Sequence, residues 1–128
     1  MLPSAHRMRR RSDFALAVKS GQRAAGRLLV LHGSAARPDV EGVDRLNCLV
    51  GFVVPRSVGN SVVRNRVQRR IRHLLATHPY LMPAGSALVV RVLPAASTAS
   101  SSELESELES LMARLKRRWA TERVEVRV

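Results

Sequence analysis

The 128-residue chain has one cysteine, four aromatic residues and no apolar run near the roughly 18 residues that cross a bilayer. Each scarcity removes a class of function. Cys48, being alone, excludes an internal disulfide and a cysteine-based zinc site. Its apolar setting, LNCLVGF, favours a buried and inert thiol. The basic N-terminus lacks the apolar core of a secretory signal. A reducing cytoplasm is therefore the expected location. No aromatic lies between Phe52 and Tyr80, so the basic segment there lacks the anchors of a membrane-surface helix, and no membrane partner is expected.

Acids are scarce where bases are dense. Residues 1–92 hold 16 bases and only four acids, Asp13, Asp39, Glu41 and Asp44. Catalysis by side chains needs placed acids, bases or metal ligands. His6, His32, His73 and His78 show no ligand spacing, and no Walker loop, paired-carboxylate motif or Ser-His-Asp set occurs. The chain alone is expected to be non-catalytic, with no metal site of its own and no small-molecule substrate.

Arginine is what the chain has in abundance. It supplies 20 of the 22 bases, against ten acids, for a net charge of +12. Residues 93–128 balance six bases against six acids, so the whole excess lies in residues 1–92. Solubility rarely requires so much charge of one sign, and a polyanion, nucleic acid first, is the expected partner.

Periodicity and punctuation give six elements. A short helix is predicted over 12–20, with Ser12 as N-cap and Gly21 as its stop. Strands are predicted at 27–32 and 46–54, with a loop at 33–45. A basic helix follows over 61–77, ended by the His78-Pro79 step. A buried strand at 87–93 and a loop at 95–102 lead to a last helix over 102–119. This αββαβα order, without repeats, suggests an α+β fold built as a two-layer α/β sandwich. The tail ERVEVRV alternates like a strand, and residues 122–128 are set apart from a single domain over 1–121.

The two long helices treat charge differently. In the last one, Leu104, Leu108, Leu111, Leu115 and Trp119 form an apolar stripe; acids fill its first turns and bases its end, as the helix dipole favours. The basic helix breaks that rule. The stretch GNSVVRNRVQRRIRH carries Arg64, Arg66, Arg69, Arg70 and Arg72 without one acid. Cations in the first turn cost a few tenths of a kcal/mol each, and like charges three or four residues apart add about as much. Val63, Val67, Ile71 and Leu74 make its buried face; Asn65, Arg66, Arg69, Arg70, Arg72 and His73 occupy the opposite arc. Helix stability does not account for that arc, so an external anion does. Gly59 and Asn60 open the helix, where free N–H groups add an anion site and Asn60 is a candidate cap.

These residues resemble the signature of the bacterial ribonuclease P protein family, Arg-Asn-Arg-x-Lys-Arg-x-x-Arg after Ser-Lys-Lys-x-Gly-Asn-Ala-Val-x. The chain reads Pro55-Arg56-Ser57-Val58-Gly59-Asn60-Ser61-Val62-Val63, then Arg64-Asn65-Arg66-Val67-Gln68-Arg69-Arg70-Ile71-Arg72. The opening LPSAHRMRRRSDF and the later VKSG also match, and the order of elements agrees over about residues 2–119. The resemblance implies an αβββαβα sandwich with a left-handed βαβ crossover, including one strand that periodicity does not resolve. It implies catalysis by a partner RNA with Mg2+ in the holoenzyme, while the protein binds that ribonuclease P RNA and the 5′ leader of precursor tRNA. Arg56, Asn60, Arg64, Asn65, Arg66, Gln68, Arg69, Arg70 and Arg72 become candidate RNA contacts; Phe14, Val18 and His32 become candidates for the leader cleft. Gln68 stands where lysine is usual and Ser57 replaces another lysine. Val18 and His32 sit where aromatics are common, which weakens stacking worth about 1–3 kcal/mol per base. A structural RNA-binding protein of the ribosome and a stand-alone nuclease are the competing readings.

Overall fold

The structure is a computed structural model that describes residues 21–34, 48–78, 81 and 85–127, with side chains to residue 120. The predicted helix over 12–20, Phe14, Val18 and most of the predicted 33–45 loop lie outside the described residues.

Four strands form one sheet in the order β1-β2-β4-β3: β1 Gln22–Ala25, β2 Leu29–Ser34, β3 Leu49–Val53 and β4 Ala87–Val92. β1 pairs antiparallel with β2 and β2 with β4, whereas β3 and β4 run parallel. Parallel neighbours need a crossover, and the helix α1, Ser61–Thr77, supplies it. The second helix, α2, is Ser101–Arg127. Leu29, Leu31, Val50, Leu88, Val90 and Val92 pack beneath the two helices, which contribute Val67, Ile71, Leu104, Leu108, Leu111 and Leu115. Each fully buried side chain of this kind is worth about 1.5–3 kcal/mol.

The strand predicted at 27–32 is displaced. Arg27 and Leu28 form a tight turn in which the Gly26 N–H donates to the Leu29 carbonyl at 2.8 Å. The preceding QRAA segment is the strand that periodicity missed, because glutamine, arginine and alanine carry little strand preference. A carboxylate on α2 holds the hairpin instead. Glu107 accepts the backbone N–H groups of Arg27, Leu28 and Leu29 at 2.9, 2.8 and 2.6 Å. Gly26 is required beside it, since a Cβ there would lie 2.6 Å from the Glu107 carboxyl carbon.

The predicted bounds of α1 agree with the structure. Its buried face differs: Leu75 joins Val67, Ile71 and Leu74, and Val63 is only half-buried. The predicted 95–102 loop contains a 3₁₀ turn, Pro94–Thr98. α2 then begins at a capping box. The Ser100 hydroxyl accepts the Glu103 N–H, and the Glu103 carboxylate accepts the Ser100 N–H, both at 3.1 Å. Helix propagation is cheap once nucleated, and α2 runs through the strand-like tail to Arg127. Near its end the Trp119 indole N–H donates to the Gly33 carbonyl at 3.0 Å.

Glu107→Ala removes all three hairpin bonds and is expected to lower the unfolding free energy by about 2–4 kcal/mol. Ser106→Ala, on the exposed side of the same turn, should change it by less than about 0.5 kcal/mol. Urea denaturation of both variants checks the difference.

Candidate nucleic-acid interface

The segment before α1 sets the geometry of the basic face. A 3₁₀ turn, Arg56–Val58, ends at Gly59, whose φ of 155° and close approach to Val63 both exclude a side chain. Asn60 then caps α1, its side-chain oxygen accepting the Val63 N–H at 3.0 Å. Arg56 and Ser57 are exposed in this turn, and the first turn of α1 contains no acid.

Among the described residues, Arg56, Arg64, Arg66, Arg69 and Arg70 have no carboxylate partner. Three carboxylates of α2 are turned elsewhere: Glu103 pairs with Arg27 at 3.3 Å, Glu105 with His78 at 3.0 Å, and Glu107 binds the β1–β2 turn. The charge of these five arginines is therefore not neutralised by a carboxylate of the described fold.

The arginines do not form one uniform arc, as their angular positions suggested. Arg70 is half-buried and donates to the Ala99 carbonyl at 3.2 Å; Arg66 reaches the Ser97 carbonyl at 3.5 Å, the outer limit of such a bond. Both tie α1 to the 3₁₀ turn that precedes α2. The Arg72 guanidinium lies 5.3 Å from the centre of the Phe52 ring, within cation–π range. Arg64 is half-buried, and its Nε is buried with no hydrogen-bond partner among the described residues. On the remaining side of the helix, Asn65, Gln68, Arg69, Arg72 and His73 line a pocket of about 440 Å³.

The sheet face turned away from α1 and α2 is a second candidate surface. His32 lies there on β2, opposite Arg23 of β1 and beside Arg91 of β4. Burial, then the nearby Arg23 and Arg91 charges, push its imidazole below the ordinary value of 6.5. The ring is therefore neutral at pH 7. Arg23 and Arg91 were not singled out from the sequence; the signal was a lone charge within ALVVRV and the two-residue alternation that puts it beside His32. Phe14 and Val18 lie outside the described residues.

The other residues weighed have ordinary roles. His78 follows the end of α1 and pairs with Glu105. Cys48 is buried, with the Ser86 hydroxyl donating to its sulfur at 3.1 Å. Among the described residues no three His, Cys, Asp or Glu side chains gather as metal ligands, and no helix is long and apolar enough to cross a membrane.

A family model described as Ribonuclease P matches residues 2–116. The "Ribonuclease P protein component" of Acidothermus cellulolyticus is 46% identical over 115 residues, which cover 90% of this chain and 92% of the relative. The protein of the same description from Streptomyces avermitilis is 45% identical over 117 residues, covering 90% and 95%. Among solved structures, the Staphylococcus aureus RNase P protein matches with a TM-score of 0.72 at 22% identity, over 84% of this chain and 93% of that one. The Thermotoga maritima RNase P protein matches with a TM-score of 0.70 at 23% identity, over 84% and 96%. At those identities the two structures speak for the fold.

Arg70→Ala should cost about 1–2 kcal/mol of stability by leaving the Ala99 carbonyl without its donor. Arg69→Ala should leave stability unchanged or raise it by a few tenths of a kcal/mol, since its repulsion with Arg66 and Arg72 is relieved. Thermal unfolding distinguishes the two. For His32 the folded protein binds its proton less readily than the unfolded chain, so stability falls as pH drops below 6.5 and levels off once the lowered folded value is passed. Urea midpoints between pH 7.5 and 5 should show this loss, and His32→Gln should remove that part of it.

Proposed function

This chain belongs to the ribonuclease P protein component family, and from that premise we propose how its surfaces serve the ribonucleoprotein. It is the protein subunit of the endoribonuclease that matures the 5′ end of tRNA. The α1 face binds the catalytic RNA, and the sheet face carrying His32, Arg23 and Arg91 receives the 5′ leader of precursor tRNA. Bond cleavage and the magnesium ions that drive it belong to the RNA, and the working compartment is the cytoplasm.

One observation carries this reading: Arg64, Arg66, Arg69 and Arg70 of α1 lack carboxylate partners among the described residues, while Glu103, Glu105 and Glu107 of α2 are engaged elsewhere. Phosphate contacts position a protein on nucleic acid and release counterions, so affinity falls with salt. Arg56, Arg64, Arg69 and Arg72 supply such contacts, with Arg66 completing the row. Asn60 fixes the helix start beside them, and Asn65 and Gln68 add uncharged donors. Arg70 is assigned chiefly to the fold, because its guanidinium already holds the Ala99 carbonyl. Family membership favours this role over that of a ribosomal structural protein.

With about five phosphates neutralised, log affinity for a bacterial ribonuclease P RNA should fall against log salt with a slope of about −3.5 to −4.5. The double variant Arg66→Ala, Arg69→Ala should bind several-fold more weakly. The wild-type protein should lower the magnesium concentration at which that RNA cleaves precursor tRNA. A slope near zero, or no effect on the magnesium requirement, would overturn the assignment.

A further inference from the structure

The bases of α2 stand in the wrong place to serve its dipole. Cations are favoured in the last turn of a helix, but α2 continues to Arg127, more than two turns beyond Arg118. Between Ser110 and Ala120 the helix carries Arg114, Lys116, Arg117 and Arg118 without one acid. Two of these bases lie on the side of the outer strand β1. Positions 107, 114 and 118 fall within about 40° of one another around the helix axis. Glu107 holds the β1–β2 turn, and the Arg114 guanidinium donates to the Ala25 carbonyl at 3.0 Å. Trp119 reaches the Gly33 carbonyl, and Gly33 is the strand partner of Gln22. Arg118 is therefore level with Gln22 and Arg23. Arg23 and Arg118 are both exposed, and neither has a carboxylate partner among the described residues.

β1 is an edge of the described sheet, and an open edge invites an added peptide strand. This edge offers a peptide little. The Gly26 N–H is bonded to Leu29, and bonded pairs alternate along an antiparallel ladder, so within β1 only Arg23 and Ala25 turn their backbone groups outward. Arg114 already occupies the Ala25 carbonyl. What remains is cationic, and guanidinium forks suit phosphates. The edge also continues the sheet face that carries Arg91, His32 and Arg23, which lie on the adjacent strands β4, β2 and β1. α1 joins β3 to β4, at the opposite side of the sheet. A leader that starts beside the RNA-bound α1 and crosses these strands leaves over β1. We propose that the β1 edge, with Arg23 on one side and Arg118 on the other, is a second phosphate-binding strip that takes the leader nucleotides farthest from the cleavage site. This rests on the leader-binding role proposed above and extends it beyond the sheet face to a strand edge and to α2. Arg114 is a positioning residue that ties α2 to the edge.

The test uses the full chain assembled with a bacterial ribonuclease P RNA, and precursor tRNAs whose leaders run from one to about sixteen nucleotides, the span of single-strand sites. Wild-type affinity should rise with leader length and then level off. Arg118→Ala should remove the last part of that rise. Long leaders should bind several-fold more weakly, with a salt slope shallower by about 0.7, while short leaders bind as before. Arg118→Glu should lose more, and Arg118→Lys should regain most of the loss, because a phosphate contact needs the charge. Urea midpoints of all three variants should match wild type, since the side chain is exposed. A wild-type length profile in Arg118→Glu overturns the strip. So does equal weakening at every leader length, because the side chain then serves the fold or another part of the complex. If the RNA shows the same dependence on leader length with and without the protein, the leader-binding role itself fails, and the strip with it.

Discussion

Val67, Ile71, Leu74 and Leu75 hold a helix whose other sides carry five arginines, and the rest of the molecule depends on that attachment. Repulsion among those arginines costs a few tenths of a kcal/mol per pair, and cations in the first turn cost about as much. Burying one of the four apolar side chains contributes about 1.5–3 kcal/mol. The apolar stripe therefore outweighs the electrostatic penalty by a wide margin. A thin seam of contact is enough to display a charge that the helix itself disfavours.

The second helix makes that display possible by keeping three of its acids occupied. Glu103 closes the capping box and meets Arg27, Glu105 meets His78, and Glu107 binds three backbone N–H groups of the β1–β2 turn. Hydrogen bonds from Ser100 and the Arg27 charge hold the Glu103 carboxyl below its ordinary value, so it stays ionised at neutral pH. None of these three carboxylates is spent on α1. Charge separation between the helices is thus built into the local hydrogen bonding of α2 and the hairpin, beyond the composition of the two segments.

Some of this was legible in the chain. Asn60 and the His78-Pro79 step bounded α1, and the leucine spacing identified the buried side of α2, because caps and helical periods are local properties. β1 was not legible, since its own residues carry little strand preference and the turn that follows it is held by Glu107 some eighty residues away. Nor was the division of the arginines. Helical angle places Arg66 and Arg70 on the polar side, but only the folded 3₁₀ turn brings the Ser97 and Ala99 carbonyls within their reach. His32 was reached through resemblance, whereas its companions Arg23 and Arg91 emerge from strand register, which no short motif encodes.

The residue after Ala99 caps α2, so the carbonyl that receives Arg70 adjoins the first turn of that helix. From Ser101 to Trp119 the helix spans roughly 27 Å at its usual rise, and Trp119 is then anchored to Gly33, next to His32. The two candidate surfaces are thereby fastened to opposite ends of a single stiff rod. Tilting that rod would therefore displace the basic helix and the His32 strand together.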